Sequence, residues 1–231
     1  MQTIECKVKS IKPLNDFVFQ VLLTPPQPLE FNAGQYLSVV MAEDDKRPFS
    51  IASAPGNTDI ELHIGASAAE SYPMQVIERM QQHDSITIEA PAGNAHIRHD
   101  SNHTRILVAG GTGFSYVKSM TEDSIAKNNL QPTIVYWGCK NIEAMYYYEQ
   151  AQAWQANNPW LTFVPVMEEV AEGVSAEQGL LLDVIAEKHP DMSKLDVYIA
   201  GRFEMSAAAR DKFTAQGLPV EQLYGDAFAF I

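Results

Sequence analysis

The chain has 231 residues, 46% of them hydrophobic and 19% charged, enough to bury one large domain or two small ones. Its 16 Lys and Arg against 29 Asp and Glu leave a formal charge of -13. A field of that sign repels phosphate backbones and anionic lipid, which excludes nucleic acid and membrane surfaces as partners recruited by bulk charge, while a helix N-terminus or a single Arg can still hold one phosphate at short range.

Two cysteines, Cys6 and Cys139, are too few for a disulfide framework and too far apart for a CxxC pair, so a reducing cytoplasm is expected. The N-terminus carries Glu5, Lys7, Lys9 and Lys12 without an apolar segment, and no apolar run approaches the ~20 residues of a membrane helix. Neither export nor a membrane span is expected.

Ile4, Cys6 and Val8 alternate with Glu5, Lys7 and Lys9, and Phe17, Phe19, Val21 and Leu23 repeat the two-residue period of a strand. Turn residues at 25–28, 33–34 and 55–57 separate further strands at 35–41, 49–53 and 60–64. A helix is predicted over 73–82, with Tyr72, Val76 and Met80 on one face, before a strand at 85–90. Many short strands with one helix predict a small antiparallel β-barrel over residues 1–98.

The rhythm changes in the polar stretch 92–105. Apolar strands are expected at 106–109, 133–137, 161–166 and 197–200, with helices between them. The first helix, 114–128, places Val117, Met120 or Thr121, and Ile125 on one stripe, and Asn141 is a candidate N-cap for the second. This alternation predicts a doubly wound α/β domain with a parallel sheet over residues 99–231.

Gly110-Gly111-Thr112-Gly113-Phe114-Ser115 follows a strand and opens a helix, where backbone N–H groups can receive a pyrophosphate or where a tight turn simply requires glycine. Tyr116 stands where a full dinucleotide fingerprint has its third glycine. Ala200-Gly201-Arg202-Phe203 repeats the arrangement at another strand end. His96, His99 and His103 have no acidic or thiol neighbour at ligand spacing and read as solvated loop residues, so no metal is expected. His63 reads as a structural histidine on the barrel or at its mouth, and Tyr146, Tyr147 and Tyr148 as packing residues. No nucleophile elbow, P-loop or zinc-protease motif occurs.

Taken in order, "DKRPFSIAS", "ELHIGAS", "AGGTGFSY", "YIAGRFEM" and "GDAFAFI" resemble the bacterial NAD(P)H:flavin oxidoreductases of the ferredoxin-NADP reductase superfamily, from the first strand to Ile231. The resemblance implies an enzyme that passes a hydride from NADH or NADPH to FMN, FAD or riboflavin as an exchangeable substrate, with no metal. Arg47 would approach the flavin side chain, Phe49 the ring and Ser50, the catalytic residue, the N5 atom. Pro48 would preorganise them, and His63 and Gly65 would complete the flavin side. Gly110, Gly111, Thr112, Gly113, Phe114 and Ser115 would bind the pyridine nucleotide together with Gly201, Arg202 and Phe203.

Three departures from the superfamily pattern stand out. Tyr116 and Ala200 replace a usual Pro and Cys, and "GASAAESYPMQVIERM" lacks the second glycine cluster of members that retain FAD. Partners implied are small-molecule substrates, with a flavin-dependent monooxygenase or luciferase downstream. The alternatives are a module with permanently bound FAD serving a protein partner, and a non-catalytic flavin or nucleotide binder. Lys140 would either meet a 2′-phosphate or lie in a solvated loop, and Phe228 and Phe230 would either shield the flavin or pack against the barrel.

Overall fold

In a computed structural model, described over residues 1–66 and 71–231, the chain forms two compact units. The first comprises Met1–Ile97 with Lys118–Asp123, and the second Arg98–Val117 with Ser124–Ile231. Part of the "GASAAESYPMQVIERM" stretch, residues 67–70, lies outside the described residues.

The first unit contains strands β1 (Gln2–Asn15), β2 (Val18–Thr24), β3 (Tyr36–Ala42), β4 (Asp45–Ser50), β5 (Ile60–Gly65) and β6 (Ser85–Ala92), with helix α1 (Ser71–Gln82). They form one antiparallel sheet in the order β4-β3-β6-β1-β2-β5. Alternate residues such as Val21, Leu23, Leu37, Val39, Leu62 and Ile64 fill its core, and α1 covers it with Val76, Ile77 and Met80. The sheet curls on itself: Ala52 N, just past edge strand β4, donates to Glu61 O of the opposite edge strand at 2.7 Å.

The strand expected at 49–53 is displaced. It is Asp45–Ser50, so the whole Arg47-Pro48-Phe49-Ser50 run lies within one strand. Pro48 faces Ser38 across the ladder. An edge strand tolerates the missing N–H, because only one side of it is paired.

The second unit contains β7 (Thr104–Gly110), α2 (Phe114–Ala126), β8 (Thr133–Cys139), α3 (Tyr148–Asn157), β9 (Leu161–Met167), β10 (Glu177–Gln178), α4 (Leu181–Lys188), β11 (Leu195–Ala200), α5 (Phe203–Ala215) and β12 (Leu223–Tyr224). Its sheet is parallel, in the order β10-β9-β8-β7-β11-β12. Chain order runs outward from β7 on one side and resumes at β11 on the other, which makes the carboxyl ends of β7 and β11 the switch point where such sheets bind ligands. Ala109 pairs with Ala200, so the two glycine-bearing ends are level.

Asn141 does not cap the second helix. Its Oδ1 accepts from Ala144 N at 3.2 Å in a short turn, and α3 begins only at Tyr148. The intervening Tyr146 and Tyr147 join Phe114, Trp137 and Trp154 in one aromatic cluster, a packing gain that a continued helix would have to match. Among the described residues, no helix is long and apolar enough to cross a membrane.

Candidate functional site

On β4 the singled-out side chains meet different fates. Arg47 is 6% exposed and its guanidinium is engaged: Nε and Nη2 donate to Asp45 at 2.9 and 2.6 Å, Nη1 to Tyr72 O at 2.5 Å, and Nη2 to Gln75 Oε1 at 2.8 Å. The Tyr72 ring lies over it, 4.2 Å from centroid to Cζ, which explains why Tyr72 stays half exposed instead of entering the α1 core face. Hydrogen bonding to Arg47 holds the Asp45 carboxyl below its usual range. Phe49 packs, partly buried, against the barrel core. Ser50 is half-buried, and among the described residues its hydroxyl makes no hydrogen bond.

On β5, His63 has no side-chain exposure, and its Nε2 bonds Glu61 Oε1 at 2.9 Å. Gln20 Nε2 donates to the same oxygen at 2.7 Å. Lys118, from the α2 segment of this unit and 3% exposed, donates to Glu61 Oε2 and Glu122 Oε2, both at 2.9 Å, and to Ala52 O at 3.3 Å. Burial pushes the Glu61 carboxyl up, but the His63 hydrogen bond and the Lys118 charge outweigh it and hold its pKa at about 2. Burial lowers His63 below its ordinary 6.5, keeping the ring neutral as donor to a carboxylate. Gly65 ends β5, opposite Val18.

Sequence reasoning missed Glu61 and Lys118. The available signal was a lysine beside Val117 and Met120, inside a helix whose first turns are buried on every side.

In the second unit the glycine loop has a closed and an open face. A Cβ on Gly113 would lie 2.2 Å from Ala200 O, and one on Gly110 or Gly201 would strike Met205. These glycines let the ends of β7 and β11 approach each other. Gly111, at φ +53°, would meet nothing, and Thr112 beside it is exposed. Ser115 turns its hydroxyl inward to Thr112 O at 3.2 Å, and Phe114 is fully buried, stacked on Trp137 at 3.8 Å. Trp137 Nε1 donates to Gly111 O at 2.9 Å, fixing the loop from below. Arg202 and Phe203 are exposed at the start of α5, and among the described residues Arg202 makes no ion pair.

The open Gly111 face, the α5 start and a cation fit an anionic dinucleotide. Ser50 fits the polar edge of a planar heterocycle.

The remaining candidates are occupied elsewhere. His99 bonds Asn129 and Lys127, and His103 Nδ1 lies 3.4 Å from Asp196 Oδ1. Lys140 pairs with Glu169 at 3.5 Å. Phe228 packs on the core of the second unit rather than against the barrel, and Phe230 is exposed near Phe203. Burial pushes the Cys139 thiol up to about 12 and Cys6 to about 11, so neither supplies a thiolate nucleophile.

The family of oxidoreductase NAD-binding domains matches residues 107–211. The chain is 46% identical over 235 residues to an NAD(P)H-flavin reductase of Aliivibrio fischeri, covering 99% of both. It is 43% identical over 236 residues to an NAD(P)H-flavin reductase of Vibrio harveyi, covering 99% of this chain and 100% of that one. A solved cytochrome P450 reductase of Amycolatopsis superposes with a TM-score of 0.87 at 19% identity, covering 97% of this chain and 69% of the other, a likeness of fold.

Proposed function

Because the chain belongs to the family of NAD(P)H-flavin reductases, we propose that it transfers a hydride from NADH or NADPH to a flavin held as an exchangeable substrate, and releases the reduced flavin. Residues 1–98 would bind the flavin and residues 99–231 the nucleotide. When bound, the nucleotide supplies the hydride at nicotinamide C4 and the flavin ring accepts it at N5.

The observation that carries the reading is Ser50. In a strand where Arg47 is tied to four partner atoms and Phe49 packs on the core, its hydroxyl is accessible and uncommitted. A hydroxyl donates to N5 while that atom is an acceptor, and accepts from it once it carries hydrogen. Pro48 stiffens the strand that presents it. His63 would act only indirectly, by holding Glu61, whose carbonyl accepts from Ala52 N two residues past Ser50, and Gly65 lies at the end of the His63 strand. Arg47 stands on the side of the flavin tail, its charge shared with Asp45.

Gly110, Gly113 and Gly201 shape the nucleotide loop. Gly111 and Thr112, the exposed residues of the loop, face the pyrophosphate, with Arg202 and Phe203 beside it, whereas the Phe114 N–H is already bonded to the Gly111 and Thr112 carbonyls and, with Ser115, starts the helix behind them. We further propose a cytoplasmic enzyme with small-molecule substrates, whose product serves a flavin-dependent monooxygenase or luciferase.

Oxidation of NADH and NADPH, followed at 340 nm with riboflavin, FMN and FAD in turn, tests the reading. Turnover that requires added flavin is expected. A protein that binds flavin yet oxidises neither nucleotide would be a carrier rather than a reductase.

A further inference from the structure

Strand β4 carries two cations, and both are already paired. Lys46 Nζ lies 2.7 Å from Glu89 Oε1, and the Arg47 fork grips both Asp45 oxygens at 2.9 and 2.6 Å. The β3–β4 turn adds Glu43 and Asp44, both exposed. Arg79, on α1, donates to Met41 O at 3.2 Å.

A planar guanidinium recognises phosphate through the same two-pronged edge that Asp45 occupies. A flavin phosphate must therefore displace that carboxylate and leave it beside a second anion, or do without the arginine. Riboflavin, whose tail is uncharged, meets neither condition.

We propose that Asp45 is a specificity-determining residue: by holding Arg47 in a bidentate pair, it withholds the guanidinium from phosphate-bearing flavins and sets the enzyme to recognise the ring irrespective of the tail. The inference rests on the proposed function, in that Arg47 lies on the tail side of bound flavin. Asp45 acts through Arg47 and touches no reacting atom.

The test is a binding titration of the oxidised flavin without nucleotide, read by quenching of flavin fluorescence. Wild-type protein should bind FMN and riboflavin with Kd values within about threefold of each other, the phosphate adding little. Asp45→Asn, which keeps the acceptor but removes the charge, should shift the ratio toward FMN about tenfold, the size of one charge-assisted hydrogen bond gained. Adding Arg47→Met to that variant should abolish the shift.

A wild-type protein that binds FMN more than about tenfold tighter than riboflavin overturns the proposal without any variant. So does an unchanged ratio in folded Asp45→Asn, or a shift that survives loss of Arg47. Failure of the wild type to bind either flavin overturns the underlying reading instead, so the two failures are distinct.

Discussion

Strand β4 and the loop after β7 are both placed by glycine- or proline-marked segments, but they offer a ligand different things. On β4 the chemistry is in side chains: Arg47 is closed by four hydrogen bonds, while Ser50, three residues on, is left open. In the loop the chemistry is in the backbone, exposed because side chains are absent. Substitution on β4 therefore removes a donor or a charge, whereas substitution in the loop adds atoms where none fit.

The largest effect separates two glycines of the loop itself. Gly113→Val places side-chain carbon against the Ala200 carbonyl, 2.2 Å from its Cβ, and should cost on the order of 4 kcal/mol or more in denaturant unfolding. Gly111→Ala meets open space and should cost only about 1–2 kcal/mol, from its left-handed backbone, while weakening nucleotide use. Equal stability for the two variants would break the distinction between a closed and an open face.

Next comes the buried ion pair between α2 and β5. Lys118→Met leaves Glu61 without its cation and should destabilise by about 3–5 kcal/mol. Because the Lys118 charge also helps to lower His63, the imidazole should titrate at higher pH in the folded variant, a shift read by NMR. A His63 titration unmoved by the substitution would contradict the network.

The same groups set an acid limit. His63 and Glu61 both have folded pKa values below their ordinary 6.5 and 4.5, so the unfolded chain binds protons first. Their contributions are complete above 6.5, fade as His63 is forced to charge, and fade further from 4.5 toward about 2 as Glu61 protonates. His63→Gln should flatten the upper part of that decline in stability-versus-pH curves. A slope identical to wild type assigns the decline to other groups.

Ser50→Ala should have the smallest effect on stability and a selective one on rate. Losing one hydrogen bond in a desolvated site, worth about 1–3 kcal/mol, lowers kcat/KM roughly five- to 150-fold for riboflavin and FMN alike. Activity within about twofold of wild type for both would remove Ser50 from the reaction.

Much of this was legible in the chain. Two-residue alternation located β1 and β2, since one face of each meets a core, and apolar runs located β7, β8, β9 and β11, whereas β4 begins four residues before the strand expected at 49–53. The strand-glycine-helix order marked both ends at the switch point. What pattern could not show was commitment. Arg47 and Ser50 read alike as polar neighbours, and only three-dimensional pairing with Asp45, Tyr72 and Gln75 separates them. Lys118 and Glu61 are 57 positions apart, so no local signal joins them. The helix start at Tyr148 was hidden because aromatic packing, not capping, ends the preceding turn.

The central claim is that this surface holds a flavin by its ring and lets it go. Protein saturated with FAD and passed through a desalting column tests it directly, by counting flavin per chain from the visible spectrum. With an open Ser50 and a neutralised Arg47, binding in the micromolar range is expected, so the protein should emerge with less than about 0.1 flavin per chain and regain NAD(P)H oxidation when flavin is returned. A yellow protein retaining about one FAD per chain would contradict the account and point to a permanently held prosthetic group.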